Sequence, residues 1–313
     1  GHHQYANYNL KTSGKYPSNG NKNTIAFHMK DGVFKDSKKS NSKYQYTNLI
    51  SSIVINYVWH KSEGNFQSLL DKVFKENMKL DYQIIVCDDG SRDKTPIMLE
   101  EYSKIYPMTI ITHNINRGLG ETSRDLFEKA AELSNDEDVI IRMDCDDTHE
   151  PEFIPGMLKQ IENGCDVVIA SRFVEGGGQE GLDTYRTVLS KLANLFMKFF
   201  FPIKGLKEYS SGFRAYKAVA IKHAINTFGN NFIQLKGLGF TVTLEKVVKL
   251  KMLGAKFGEA PFILRYQQKR SESKMVSSIT TVGYMTLVLL YHWPWGGWRR
   301  GYKNIKKLHE VEK

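Results

Sequence analysis

Apolar and polar positions along this chain fall into two alternating textures. Short aliphatic, β-branched runs have the length and composition of buried strands: "LISSIVINYV" from Leu49, "YQIIVCDD" from Tyr82, "MTIITHN" from Met108, "DVIIRMDCDD" from Asp138 and "CDVVIASRF" from Cys165. Between them apolar residues recur at helical spacing in "NFQSLLDKVFKE", "DKTPIMLEEYSKIY", "GETSRDLFEKAAEL" and "EPEFIPGMLKQIENG". Strand and helix alternate, which predicts βαβ units and an α/β fold with a mostly parallel, doubly wound sheet. Further on, "LEKVVKLKMLG" reads as an amphipathic helix, with Glu245 in a structural role.

The two ends of the chain differ from this middle. Residues 1–48 begin with "GHH", which reads as an affinity-tag remnant, and are rich in Asn, Lys, Ser, Gly and Tyr. They read as a loosely ordered or surface-wrapping extension, in which "TIAFHM" and "GVFKD" could form a hairpin or pack on the body. Residues 49–275 carry the alternating pattern and read as one catalytic domain. Residues 276–313 place an apolar stretch beside Trp293, Trp295 and Trp298, followed by Arg299, Arg300, Lys306 and Lys307. With "KLANLFMKFFFPIKG", this is the pattern of helices lying in a membrane interface, the alternative being two core helices or a dimer contact. The apolar core near Val282–Tyr291 is too short to span a bilayer, so the expectation is a peripheral protein at the cytoplasmic membrane face. The chain has 44 Lys+Arg against 34 Asp+Glu, a net charge of +10, which favours anionic partners without choosing among them. Cys87, Cys145 and Cys165 form no CxxC pair and point to a reducing compartment.

The chemistry clusters at predicted strand ends, where doubly wound sheets bind ligands. In "DDGSRDKT", Asp88 and Asp89 could accept hydrogen bonds from a base or sugar hydroxyl, or could simply form an Asp-Gly turn with a helix cap. In "NRGLG", Arg117 and Gly118 could face a diphosphate, or Gly118 and Gly120 could simply open a helix. In "DCDD", Asp144, Asp146 and Asp147 crowd three carboxylates onto one edge, an arrangement that a hard cation such as Mg²⁺ or Mn²⁺ would relieve. An ordinary acidic helix start is the alternative.

"IIVCDDGSRDKT", "NINRGLG", "IIRMDCDDTHEPEFI", "VVIASRFVEGG", "SGFRAY" and "SESKM" occur in an order and spacing that resembles family 2 glycosyltransferases of the GT-A fold. Within them the chain resembles the dolichol-phosphate mannose synthase-like group of polyprenyl-phosphate sugar synthases. The resemblance covers roughly Leu49 to Leu290. It implies donor contacts from Asp88, Asp89, Arg117, Gly118, Asp144, Cys145, Asp146, Lys269 and Lys274, and metal ligation by Asp144 and Asp146. Thr148 stands where that group often has a further, Gln, metal contact. The resemblance implies acceptor contacts from Arg172, Arg186, Ser190, Ser211, Gly212 and Phe213. A basic closing loop would comprise Lys269, Arg270, Ser273 and Lys274. Asp146, Arg172 and Lys274 would carry the chemistry. Two departures stand out: Asn56 at a position usually proline, and Ser271 where glycine is common.

The implied activity is metal-dependent, inverting hexosyl transfer from a nucleotide sugar, GDP-mannose or UDP-glucose, to a polyprenyl phosphate, with no nucleic-acid partner. A phosphate acceptor is already anionic and needs positioning cations rather than a base. A hydroxyl acceptor would need a base, with Glu245 the residue available. A sugar-nucleotide pyrophosphorylase would carry a glycine-rich basic loop after the first strand, where this chain has "NYVWHKSEGN". A non-enzymatic anion-binding module would be an odd match for carboxylate-lined strand ends.

Overall fold

The computed structural model describes residues 11–12, 22–28, 81–92, 95–104, 107–144, 149–181, 184–266, 277–292, 294 and 296–310. The strands are β1 (Lys11–Thr12), β2 (Lys22–His28), β3 (Asp81–Asp88), β4 (Met108–Thr112), β5 (Val139–Asp144), β6 (Val167–Ser171), β7 (Gly178–Glu180), β8 (Arg214–Lys217), β9 (Phe257–Pro261) and β10 (Ile263–Arg265). The helices are α1 (Thr95–Ser103), α2 (Leu119–Leu133), α3 (Ile154–Glu162), α4 (Thr184–Phe200), α5 (Ala218–Phe228), α6 (Thr241–Met252), α7 (Ser277–His292) and α8 (Gly297–Gly301).

Eight strands form one sheet in the order β1-β4-β3-β2-β5-β8-β6-β9. β4, β3, β2 and β5 run parallel. β8 is antiparallel to both β5 and β6, so β6 and its parallel neighbour β9 point the same way as β5. The carboxyl ends of β3, β5 and β6 therefore share one edge. The four residues Ile84–Cys87 of β3 and the four residues Val167–Ala170 of β6 are all fully buried. Such unbroken burial requires cover on both faces, as in a parallel sheet between helices. Each buried aliphatic contributes about 1.5–3 kcal/mol. α2 supplies part of that cover through Leu126, Phe127 and Ala130. Phe127 meets Tyr216 and Phe232 edge to face at 5.4 and 6.2 Å.

Three expectations meet a different outcome. Residues 22–28, read as part of an extension, fill the centre of the sheet, with Ile25 in register with both Ile84 and Ile141. The run "TIAF" has the composition of a central strand, but its Lys- and Asn-rich flanks masked it. The strand expected from Leu49 and the helix at 65–76 lie outside the described residues. The C-terminal segment is not a separate appendage. α7 joins a second core cluster through Leu287 and Tyr291, with Met197 and Phe201 beside α6 residues Leu244, Val247 and Val248. Nor is α6 amphipathic: its ten residues from Thr241 to Leu250 are all buried, charges included. Those charges are paired locally, as burial demands. Glu245 accepts the backbone N–H groups of Gln234 and Leu235 at 2.8 Å each and the Lys249 ammonium at 2.5 Å. Lys246 donates to Ser123 Oγ at 2.8 Å and lies 4.4 Å from the Phe127 ring centroid.

Candidate active site

The first group of charges sits where β3 and β4 end. Asp88 Oδ1 accepts the N–H of Ser91 at 2.9 Å, capping the turn. Asp89 is fully buried, and both its oxygens are taken. Oδ1 accepts the Arg117 N–H and Oδ2 the Gly118 N–H, each at 2.8 Å. His113 Nδ1 lies 2.6 Å from Asp89 Oδ1, and His113 Nε2 lies 2.8 Å from Asp125 Oδ2. Burial alone would lower the pKa of His113. The hydrogen bonds and charges of Asp125 and Asp89 outweigh it and push the ring up to about 9. Arg117, expected to face a diphosphate, donates through Nη1 to Asp125 Oδ2 at 2.9 Å and through Nη2 to Glu121 Oε2 at 3.3 Å. Gly90 and Gly120 are spacers. A Cβ on Gly90 would lie 2.7 Å from the Ile115 carbonyl carbon, and one on Gly120 would lie 2.3 Å from Lys236 Cα. Gly120 thus lets the start of α2 approach the 236 backbone, a packing role rather than a phosphate cradle. Asp89 thus braces two loops against each other.

The acidic motif starts at the next strand end along this edge. Asp144 closes β5, opposite His28. Its side chain and residues 145–148, including Cys145, Asp146, Asp147 and Thr148, lie outside the described residues. No group of three or more potential metal-ligating side chains occurs among the described residues. The structure picks up again at His149, which is buried and stacks on Phe213 with ring centroids 5.1 Å apart. The antiparallel register, with Arg142 opposite Arg214, brings the Ser211–Phe213 turn to the end of β5. Ser211 is buried, its Oγ accepting the Phe213 N–H at 3.3 Å, and Phe213 is fully buried, while Gly212 is half-buried. Phe213 is thus packed into the interior behind His149. The carboxylates of "DCDD" are hard oxygen donors of the kind that suit Mg²⁺ or Mn²⁺.

The second group of charges follows β6. Arg172 forms a side-on bidentate pair with Glu208, Nε to Oε2 at 2.7 Å and Nη2 to Oε1 at 2.9 Å. Nη2 also donates to Ser190 Oγ at 3.0 Å and Ser210 Oγ at 2.9 Å. Glu208 Oε1 collects further donors: Ser210 Oγ at 2.6 Å, Ser210 N at 3.0 Å, Ser211 N at 3.1 Å and Asn194 Nδ2 at 3.3 Å. Burial would raise the Glu208 pKa, but the charge and hydrogen bonds of Arg172, with those of Ser210, hold it below the usual carboxylate range. Arg172 and Ser190, both expected among the acceptor contacts, touch each other. Glu208, the residue that organises them, was missed; its position two residues before the "SSGF" turn was the available signal. The side chain of Arg186 and the closing loop with Lys269, Arg270, Ser273 and Lys274 lie outside the described residues.

α4 turns its Ser190 and Asn194 side to this cluster and shows an apolar stripe elsewhere. Eight of the ten exposed large hydrophobics among the described residues lie on two helices: Val188, Leu192, Leu195 and Phe199 on α4, and Ile279, Val282, Met285 and Leu289 on α7. The helices are neighbours, Phe196 stacking on Tyr284 at 6.2 Å and His292 Nε2 lying 3.1 Å from the Phe200 carbonyl oxygen. Burial raises the Tyr284 phenol to about 12, Glu208 raising it further while Arg214 and Arg172 pull it down; α7 thus also has its inner side toward the cluster. Trp298, expected in an outward aromatic belt, instead takes the Lys249 ammonium 4.3 Å from its ring centroid; Trp293 and Trp295 lie outside the described residues. Among the described residues no helix is long and apolar enough to cross a membrane.

The mixed sheet, flanked by helices, is the architecture of a GT-A-like glycosyltransferase, and residues 53–226 match the family described as Glycosyl transferase family 2. The chain belongs to that family. Among curated relatives, a dolichol-phosphate mannosyltransferase of Pyrococcus furiosus is 32% identical over 217 residues, 69% of this chain and 57% of that one. An undecaprenyl-phosphate mannosyltransferase of Micrococcus luteus is 30% identical over 197 residues, 63% of this chain and 76% of that one. A polyprenol monophosphomannose synthase of Mycolicibacterium smegmatis is 29% identical, covering 57% of this chain and 73% of that one. Among solved structures, glucosyl-3-phosphoglycerate synthase from Mycobacterium tuberculosis, in complex with Mn²⁺, uridine-diphosphate and phosphoglyceric acid, superposes with a TM-score of 0.49 at 14% identity, covering 86% of this chain and 77% of that one.

Proposed function

We propose that this protein transfers a hexose from a nucleotide sugar, GDP-mannose by default and UDP-glucose as the alternative, to a polyprenyl phosphate at a membrane surface. The observation that carries this reading is the double character of α4. One side holds Ser190 and Asn194 in the Arg172–Glu208 cluster, and another exposes Val188, Leu192, Leu195 and Phe199. A lipid phosphate needs that combination: an anion-recognising group next to a surface that its chain and bilayer can occupy. The three relatives, each named for transfer of mannose to a polyprenyl-type phosphate, support the same acceptor class.

In this reading an acceptor phosphate oxygen attacks the anomeric carbon as the bond to the nucleoside diphosphate breaks, inverting the configuration. Asp144 and Asp146 would hold Mg²⁺ or Mn²⁺, which supplies positive charge for the departing diphosphate. Arg172, with one edge committed to Glu208, and Arg186 from the same helix as Ser190 would orient the acceptor phosphate. Lys269 and Lys274 would cover the diphosphate as a closing loop does. The acceptor needs no general base, which suits Glu245, whose oxygens are spent on Gln234, Leu235 and Lys249. The apolar stripes of α4 and α7 would rest on the bilayer, with Arg299 and Arg300 near anionic headgroups.

A donor screen tests this. Purified protein with Mg²⁺ or Mn²⁺ is offered GDP-mannose and UDP-hexoses, with and without a short polyprenyl phosphate, and nucleoside diphosphate release is followed. Release that needs both the lipid phosphate and Asp146 is expected. Release indifferent to lipid would transfer the case to a hydroxyl acceptor.

A further inference from the structure

His113 was not among the residues expected to form the site, yet it lies beneath the donor edge and is 4% exposed. It follows β4 directly, and its backbone N–H donates to the Asp88 carbonyl at 2.8 Å, which carries the β3–β4 ladder one step past the strand. Each ring nitrogen faces a carboxylate, Asp89 from the end of β3 at 2.6 Å and Asp125 from α2 at 2.8 Å. A carboxylate only accepts, so both ring nitrogens must donate, and only the imidazolium does so. The other groups around the ring agree. Arg117 reaches Asp125 at 2.9 Å, so two carboxylates face two cations. Cys87 Sγ lies 3.6 Å from Nε2; burial, reinforced by Asp89, Asp125 and Asp88, pushes its thiol well up, so it adds no third negative charge.

The ring also governs the turn above it. Asp89, fixed by His113, holds the N–H groups of Arg117 and Gly118, and Gly90 on the same loop packs against the Ile115–Asn116 backbone. The two loops that carry the expected donor contacts are thus joined through one imidazolium.

We propose that His113 is a positioning residue for the donor: pinned between Asp89 and Asp125, it fixes the Asp88–Gly90 and Asn114–Gly118 loops in the mutual arrangement that a nucleoside diphosphate would meet. This rests on the reading of that edge as the nucleotide-sugar site. His113 touches no reacting atom, so its influence falls on donor affinity rather than turnover. The pin fails once the ring loses its second proton, at about pH 9.

Two measurements test it. In the unmodified protein labelled with ¹⁵N-histidine, the resonances that vanish in H113Q report both ring nitrogens directly. Both protonated from neutral pH to about 9 is expected; a neutral tautomer at neutral pH overturns the proposal. In steady state, H113Q raises the donor KM about tenfold with kcat and acceptor KM within about twofold, the size of one lost buried charged hydrogen bond. It also removes the alkaline fall in donor kcat/KM, and D125N, which keeps the Asp89 contact, moves that fall to lower pH. An equal rise in acceptor KM, or an alkaline fall surviving in H113Q as titration of the donor's own base would give, overturns it. D125N decides the matter should H113Q not fold. A protein that binds no nucleoside diphosphate at all would defeat the proposed function instead, an outcome distinct from an unmoved donor KM.

Discussion

The two charged clusters at the carboxyl edge are built inside out from each other. In the first, where β3 and β4 end, a buried cation, His113, lies between the carboxylates of Asp89 and Asp125. In the second, after β6, a buried carboxylate, Glu208, lies among Arg172, Ser210, Ser211 and Asn194. In both, side chains that a ligand-centred reading assigns to substrate are committed first to a protein partner. The difference lies in what each can yield. His113 can lose its charge by releasing a proton at about pH 9. The His113 cluster is therefore the one that alkaline pH loosens, and in the proposed reading it lies on the donor side.

Five experiments sharpen or break that contrast. The largest effect should come from neither cluster. Chelation of the metal, or Asp146→Asn, should lower transfer by about a thousandfold, given the several kcal/mol a cation supplies to a leaving diphosphate. Transfer that survives chelation would move the work back onto the clusters. Next is Glu208→Ala, which strands a buried guanidinium and should reduce unfolding free energy by about 3–5 kcal/mol. R172A/E208Q, leaving neither charge unpaired, should recover part of it, as read by denaturant titration. Recovery of nothing would mean the pair is not the energetic unit of the cluster.

Third is the pH dependence of stability. The folded pKa of His113, about 9, lies above its usual 6.5, so its contribution is complete below about pH 6.5 and is lost as pH rises through about 9. The unmodified protein should lose on the order of 2–3 kcal/mol across that window, and H113Q much less. Equal losses in both proteins would remove His113 from the account. A smaller effect, about tenfold in partition onto anionic vesicles, is expected from L192S/L195S, with unfolding free energy within about 0.5 kcal/mol because both side chains are exposed. Unchanged vesicle binding would separate the apolar face from the acceptor cluster. The smallest effect should be that of Glu245→Gln on turnover. Measured where the variant remains folded, kcat should stay within about threefold. Loss of turnover there would restore a hydroxyl acceptor and its base.

The strand ends and their acids were legible in the sequence because each lies within a few residues of an unbroken apolar run, as Asp88 follows Ile84–Cys87. The partners were not. His113 is 24 residues from Asp89, and Glu208 is 36 from Arg172, and only the folded sheet brings them together. The "THN" at the end of β4 gave a faint signal, a histidine one step beyond a buried strand. β2 was legible only as a patch that could form a hairpin or pack on the body: four apolar or β-branched residues, "TIAF", sit among lysines and asparagines, too short a run to mark a central strand. α6 was read correctly as a helix and wrongly as half-exposed, because charge in sequence implies solvent unless the pairing is known.

That buried helix has a practical consequence. Burial lowers the Lys249 pKa against the opposing pull of Glu245, which raises the share of free amine, while the fold denies reagents any access to it. An amine-reactive label applied to the native protein would therefore pass over Lys249 and Lys246 and modify lysines on the outside. Each transient opening of the α6 region would expose both amines to the reagent. The slow appearance of label at Lys249, read by peptide mass, then becomes a clock for how often the interior of this protein comes apart.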